Sequence, residues 1–246
     1  MRPRSIARSV LAMLAAALLA IATGIAPALA QAAQCHAPLL SSVPALPRPD
    51  GPVSTAPIAG YTFALSWSPE FCHGRADDAR FATQCGGSTG HFGFIVHGLW
   101  PEAAAGAPPQ WCPAPAQLDA EAVRGAMCTT PSADLLAHEW AKHGACMVQT
   151  PATYFRIERR LFDALRLPDM ARLSHRPGLN AGMVREAFAQ RNPLLRSETI
   201  RLKLSQSGWL QEVELCYGKD FLPVRCAARD WKPDDRTSVK IWRSAR

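Results

Sequence analysis

The chain has 246 residues, of which 48% are hydrophobic and 19% charged, and its 27 Lys and Arg residues outnumber 20 Asp and Glu residues. This composition excludes a disordered tail and a collagen-like repeat. A membrane-spanning helix needs about 20 consecutive apolar residues, and the longest such run, from Val10 to Ala22, is shorter. We therefore expect one globular domain and exclude a polytopic membrane protein, a coiled coil and a solenoid array.

The first 30 residues have the pattern of a secretory signal peptide. Three arginines precede the apolar run, and Ala28-Leu29-Ala30 supplies the small residues of a cleavage site. We predict cleavage after Ala30 and a mature protein that is periplasmic or secreted and free of the membrane; the alternative is an uncleaved membrane anchor. The mature chain is only mildly basic, which favours a polyanionic partner without identifying one.

All eight cysteines lie in the part of the chain predicted to be exported, from Cys35 to Cys226. An even number of cysteines in an oxidising compartment predicts disulfides, although composition leaves the pairing open. Cys72 with Cys85 and Cys216 with Cys226 could each close a short loop. No C-x-x-C pair occurs, so we expect no structural zinc site.

The first half of the mature chain predicts an arm followed by strands. Residues 31–59 are rich in proline and lack a regular period, which indicates an irregular arm tethered by Cys35. Residues 61–67 alternate between apolar and polar side chains and predict a strand. Residues 91–97 predict a second strand that ends at Gly98, and the Pro- and Ala-rich residues 101–118 predict a loop.

The second half predicts helices and then further strands. Thr130 is a suitable N-cap with Pro131 at the first helical position, and Gly144 is a stop signal. Apolar spacing predicts two more helices, around residues 154–165 and 183–188, and alternation predicts strands at 200–204 and 209–216. We expect an α+β domain over residues 60–246, with a central, mainly antiparallel sheet and flanking helices. Its basic tail from residue 227 would form either a last strand at Val239–Trp242 or a flap.

Two segments carry ionisable groups in chemically suggestive patterns. The first, FIVHGLWPE at 94–102, places His97 at the expected end of an aromatic-rich strand. The second is HEWAKHG at 138–144. On a helix with 100° per residue, its ionisable groups share less than half of the circumference, while Trp140 and Ala141 face the other side. These four groups are His138, Glu139, Lys142 and His143. Such crowding shifts pKa values; the alternative is a solvated helix face.

This set of groups suits proton transfer better than metal binding. A zinc protease motif is H-E-x-x-H, whereas the spacing here is one residue longer and includes Lys142, which would repel a metal. We therefore expect no metal or cofactor and keep a zinc metalloprotease only as a remote alternative. Two histidines can serve as general base and general acid, and a lysine can stabilise a developing oxyanion. Transphosphorylation of RNA uses both, and DNA lacks the 2′-OH nucleophile.

The segments FIVHGLWPE and HEWAKHGAC resemble the two active-site segments of the T2 family of secreted ribonucleases. The likeness spans roughly Tyr61 to Cys226. It implies that His143 is the general base and His97 the general acid. It also implies that His138 contacts phosphate, while Glu139 and Lys142 stabilise the transition state.

The resemblance also implies substrate contacts and disulfides. Trp100 would stack on a base, Glu102 stands where some relatives carry Asp in a base pocket, and Leu135 stands where an aromatic residue is common. The last two departures leave base preference open. A bridge between Cys112 and Cys146 is implied, which leaves Cys35 and Cys128 as the remaining pair.

We therefore expect a disulfide-stapled, monomeric endoribonuclease. It would cleave single-stranded RNA, and not DNA, through a 2′,3′-cyclic phosphate. A non-catalytic secreted RNA-binding module on the same scaffold is the main alternative.

Overall fold

The computed structural model describes residues 32–33, 35–40, 42–113, 115–227 and 233–243. The predicted signal peptide and its cleavage site lie outside these residues, as do parts of the basic tail. Within the described part of the chain, no helix is long and apolar enough to cross a membrane.

Four antiparallel strands form the central sheet: β2 (Ile58–Trp67), β4 (Phe94–Ala103), β5 (Ile200–Leu204) and β6 (Leu210–Gly218). Their spatial order is β4-β2-β6-β5. Two short strands, β1 (Ala32–Ala33) and β3 (His91–Phe92), pair separately and antiparallel. The sheet therefore joins early and late parts of the chain, which explains how distant segments meet.

Seven α-helices occur in the described residues. They are α1 (Ser68–Cys72), α2 (Ala82–Cys85), α3 (Ala120–Ala126), α4 (Ala133–Lys142), α5 (Pro151–Ala164), α6 (Met170–Ser174) and α7 (Ala181–Arg191). Helices α3 to α7 each begin after a residue whose side chain accepts a backbone N–H of the first turn, which stabilises the helix start. These caps are Asp119, Ser132, Thr150, Asp169 and Asn180.

The two faces of the sheet differ in polarity because side chains alternate along each strand. The core cluster takes apolar side chains from the strands and from the helices, including Phe63, Leu65, Val213, Leu215, Trp140, Tyr154, Phe162 and Phe188. The alternate strand positions are polar and include Thr62, Ser66, Glu212 and Glu214. The helices thus bury one face of the sheet, while the other face carries ionisable groups.

The α+β architecture is confirmed, but two predicted boundaries were wrong. Strand β4 does not end at Gly98, because pairing with β2 continues to Ala103, so the predicted loop begins later. Helix α4 begins at Ala133, because Ser132 caps it, whereas the Thr130 hydroxyl donates to the carbonyl of Val96. The predicted stop is confirmed, because the helix ends at Lys142 with His143 as its C-cap and Gly144 directly after the cap.

The ends of the domain also differ from expectation. The arm contains β1 and an isolated bridge between Ser54 and Gln110, and β2 begins at Ile58, inside the predicted arm. At the other end, the described part of 239–242 forms no continuous strand. An isolated bridge joins Lys240 to Trp209 instead.

Four disulfides staple the domain and match the predicted pairs: Cys35–Cys128, Cys72–Cys85, Cys112–Cys146 and Cys216–Cys226. The first fixes the arm to the turn before α4. The third links the loop after β4 to the short 3₁₀ turn after α4. Two bridges therefore constrain the segments on either side of α4.

Candidate active site

A β-bulge in β4 places His97. Ala64 of β2 pairs with Gly98 and Leu65 pairs with Val96, so His97 is the extra residue between two paired positions. A bulge bends its strand and re-aims a side chain. The sequence expectation that His97 lies at a strand end was wrong, because it lies within β4, with 26% of its side chain exposed.

Two carboxylates face the His97 ring. Its Nδ1 lies 2.9 Å from Glu212 Oε1, and its Nε2 lies 3.6 Å from Glu139 Oε1. Burial alone would lower the pKa of His97, but the hydrogen bond to Glu212 and the charges of both carboxylates outweigh burial and the opposing Lys203. The pKa of His97 is therefore raised, which favours the protonated ring.

Glu139 is a residue of α4 whose carboxylate lies against Gly98 of β4, and it is almost fully buried. Its Oε2 accepts a 2.7 Å hydrogen bond from Nε1 of Trp100. A side chain at Gly98 would collide with this carboxylate and with the Trp100 indole, so the close approach requires glycine. Burial raises the pKa of Glu139 to about 7, against the charges of His97 and Lys142 and the Trp100 hydrogen bond.

His143 caps the C-terminal end of α4. A Cβ on the next residue, Gly144, would lie 2.6 Å from the Trp140 ring and 2.7 Å from the Tyr154 ring, so the backbone packs tightly on the core there. Burial, and then the charges of Lys142, His138 and His97, lower the pKa of His143 to about 3. Its buried Nδ1 has no hydrogen-bond partner among the described residues. The neutral ring is therefore favoured.

The indole of Trp100 contacts both imidazoles. Its ring centroid lies 5.2 Å from that of His97 and 5.8 Å from that of His143. A strand histidine and a helix-end histidine, 46 positions apart in the printed sequence, therefore share one site. Their surroundings bias them toward opposite protonation states.

A second group of contacts surrounds Lys142. The arm residue Asp50 accepts hydrogen bonds from Lys142 Nζ and from Trp111 Nε1, both at 3.1 Å. The Trp111 ring also meets His138 edge to face, at 5.5 Å between centroids. Burial, followed by the charge of Lys142, lowers the pKa of His138. Asp50 of the arm and Trp111 of the loop after β4 thus contact the side chains of Lys142 and His138 on α4.

The other two predicted substrate-binding residues have separate partners. Glu102 accepts a 2.7 Å hydrogen bond from Thr62, whose hydroxyl in turn accepts from Arg201. Leu135 packs against Phe92 and Ile95. Contacts therefore join His97, Trp100, Glu139 and His143 in one group. His138 and Lys142 form a second group, which acts on the first through charge. Glu102 and Leu135 have different neighbours.

Sequence reasoning missed Glu212 and Asp50. Alternation predicts a strand at 209–216, but it does not indicate that a carboxylate of this strand faces the His97 ring. Asp50 lies in the proline-rich arm, where no local pattern indicates a contact with Lys142. Both contacts depend on tertiary structure. Among the described residues, no group of three or more His, Cys, Asp or Glu side chains is arranged to hold a metal ion.

Known proteins resemble this chain in sequence and in fold. The model of the Ribonuclease T2 family matches residues 59–226. A probable ribonuclease of Haemophilus influenzae is 33% identical over 191 residues, which cover 73% of this chain and 65% of that protein. This chain therefore matches less than two thirds of that relative's length.

Two solved structures share the fold. An RNase-related protein from Calystegia sepium superposes with a TM-score of 0.58 and 19% identity, covering 74% of this chain and 97% of that one. RNase NT, solved in complex with 5′-AMP, superposes with a TM-score of 0.54 and 20% identity, covering 75% and 98%.

Proposed function

Because the chain belongs to the ribonuclease T2 family, we propose that it is an endoribonuclease that cleaves single-stranded RNA by metal-independent transphosphorylation. The observation that supports this most strongly is the pair of imidazoles against Trp100, with pKa values displaced in opposite directions. A structural neighbour bound to 5′-AMP supports a nucleotide-type ligand for this fold.

The opposite displacements suit the two roles. With its pKa lowered to about 3, His143 is neutral at mildly acidic and neutral pH and can accept the proton of the ribose 2′-OH. With its pKa raised, His97 keeps a proton that it can give to the departing 5′-oxygen. The 2′-oxygen forms a bond to phosphorus as the bond from phosphorus to the 5′-oxygen breaks. The products are a 2′,3′-cyclic phosphate and a 5′-hydroxyl.

The remaining groups of α4 stabilise charge on the phosphate. Lys142 supplies an ammonium group, and His138 contacts a phosphate oxygen from the same helix face. Glu139, whose Oε1 lies 3.6 Å from His97 Nε2, stabilises the transition state from the same helix. The three residues therefore act on the pentacoordinate transition state.

Base contacts come from β4 and the start of α4. Trp100 provides an aromatic face for stacking, an interaction that tolerates different bases. Glu102 and Leu135 are the positions at which the base preference is set, through a carboxylate held by Thr62 and an apolar contact, respectively.

Export fits the chemistry of the domain. Four disulfides persist in an oxidising compartment. We propose a monomer in the periplasm or outside the cell, produced by cleavage after Ala30.

The test is digestion of single-stranded RNA by the mature protein in excess EDTA. We expect cleavage with 2′,3′-cyclic phosphate ends, and no cleavage of a matched strand with a 2′-deoxyribose at each position. Complete loss of activity on chelation would indicate a metal enzyme. RNA binding without cleavage would select the non-catalytic module.

A further inference from the structure

A carboxylate from a distant strand controls the imidazole of His97. Glu212 lies on β6, 115 positions along the chain from His97, yet its Oε1 is 2.9 Å from His97 Nδ1. Only 8% of its side chain is exposed. Ser66 on β2 donates to the same oxygen at 3.4 Å, and Lys203 Nζ on β5 lies 3.5 Å from Oε2. Three strands of the sheet thus hold one carboxylate against the ring.

This contact fixes which ring nitrogen carries the hydrogen. Burial alone would raise the pKa of Glu212, but the hydrogen bond and charge of His97 and the charge of Lys203 hold it below its ordinary value. An ionised carboxylate only accepts hydrogen bonds, so Nδ1 of His97 must carry the hydrogen. The other nitrogen, Nε2, is the one beside Glu139.

Charges from several elements act on His97. The carboxylates are Glu139 from α4 and Glu212 from β6, and both favour the charged ring. Lys203 from β5 opposes them. The charge of His97 in turn lowers the pKa values of His138 and His143 at α4. Of the two carboxylates, Glu212 has the shorter contact with the ring.

We propose that Glu212 is a positioning residue that holds His97 in the Nδ1–H tautomer, so that Nε2 delivers the proton to the leaving 5′-oxygen. This inference rests on the proposed function. After the transfer, the neutral ring still carries its hydrogen on Nδ1, and Nε2 is ready to accept the next proton. Glu212 itself forms no bond to substrate and breaks none.

Three variants separate charge, orientation and mere packing. Glu212→Gln keeps an acceptor for Nδ1–H but removes the charge, and Glu212→Ala removes both. Glu214→Gln is the matched control, because Glu214 lies two residues along β6 and pairs with Arg201, 2.9 Å from its Nε.

The expected effects follow from loss of a charge-assisted hydrogen bond. Glu212→Gln should lower kcat on RNA about tenfold, leave KM nearly unchanged, and move the basic limb of the pH–kcat profile about one unit toward acid. Glu212→Ala should lower kcat further. Glu214→Gln should leave the basic limb in place.

Nitrogen NMR of the His97 ring gives a readout independent of cleavage. We expect the neutral ring of the wild-type protein to be the Nδ1–H tautomer and the alanine variant to populate Nε2–H. A wild-type ring with its hydrogen on Nε2 would overturn the proposal, even if the variants failed to fold. An unmoved basic limb in folded Glu212→Gln would also overturn it. By contrast, a wild-type protein that does not cleave RNA would overturn the proposed function. The NMR result would still show which ring nitrogen of His97 carries the hydrogen.

Discussion

His97 and His143 carry the same side chain, and their surroundings displace their pKa values in opposite directions. Two carboxylates outweigh the effect of burial on the pKa of His97, whereas the partly buried His143 lies among the charges of Lys142 and two other histidines. One indole contacts both rings. At the scale of single residues, the proposed division between acid and base therefore follows from which charges face each ring.

Removal of either imidazole tests these roles. His97→Ala and His143→Ala should each lower kcat on RNA by at least about 100-fold, because general acid–base catalysis contributes that much or more. His91→Ala is the control, since His91 is exposed on the short strand β3. A near-normal kcat in either site variant would remove that histidine from the mechanism.

The Asp50 carboxylate tests the contact between the arm and Lys142. In Asp50→Asn, the Lys142 ammonium no longer faces a competing anion, so we expect KM for RNA to fall about threefold. Steady-state kinetics at low ionic strength measures the change. Asp78→Asn is the control, because Asp78 is an aspartate paired with Arg80. A higher KM in Asp50→Asn would mean that Asp50 orients Lys142 for substrate.

At the scale of elements, local sequence predicted the helices and strands, whereas the pairing of strands determined the bulge at His97 and its contact with Glu212. Helical spacing placed the ionisable groups of α4 on one face and Trp140 in the core, where it is fully buried. The bulge at His97 was not predictable, because it exists only in the register of β4 against β2. The partnership of His97 with Glu212 likewise depends on the strand order β4-β2-β6, which no local pattern encodes.

The close approach of α4 to β4 gives a stability test. In Gly98→Ala the new Cβ meets the Glu139 carboxylate and the Trp100 indole, so we expect a loss of about 1–3 kcal/mol in the free energy of unfolding. Gly125→Ala is the control, because Gly125 lies in α3 with open space at its Cβ; it should gain up to about 1 kcal/mol. Urea unfolding compares the two. An unchanged free energy in Gly98→Ala would mean that the helix and strand can separate at little cost.

At the scale of the whole molecule, covalent and buried polar links hold the site together. The Cys35–Cys128 bridge closes a long loop, with a sequence separation of 93 between its cysteines, and so restricts the unfolded chain. Tyr154 on α5 contacts both β4 and the C-terminal end of α4. Its hydroxyl accepts a hydrogen bond from the N–H of Leu99 and donates one to the carbonyl of Leu99, and its ring packs at Gly144. Strand β4 and the C-terminal end of α4 therefore contact the same buried tyrosine.

The buried Glu158 beside Tyr154 predicts a pH-dependent stability. Burial raises the pKa of Glu158 well above its ordinary value, so the folded protein retains a proton that the unfolded chain releases above about pH 4.3. The contribution of Glu158 to the free energy of unfolding is fully present at acidic pH and is lost as the pH rises. Glu158→Gln should therefore increase the free energy of unfolding at pH 7, with a difference that shrinks toward pH 4. Denaturant unfolding at both pH values measures it, and an equal difference at both would contradict the assignment.

The most direct test of the two-histidine account is the pH dependence of kcat/KM for the wild-type protein on single-stranded RNA in EDTA. The account predicts a bell-shaped profile: activity rises through an acidic limb near pH 3, as His143 loses its proton, and falls through a basic limb above about 6.5, as His97 loses its own. A rate that rises through pH 6.5 to an alkaline plateau would contradict it, because no protonated imidazole would then be required.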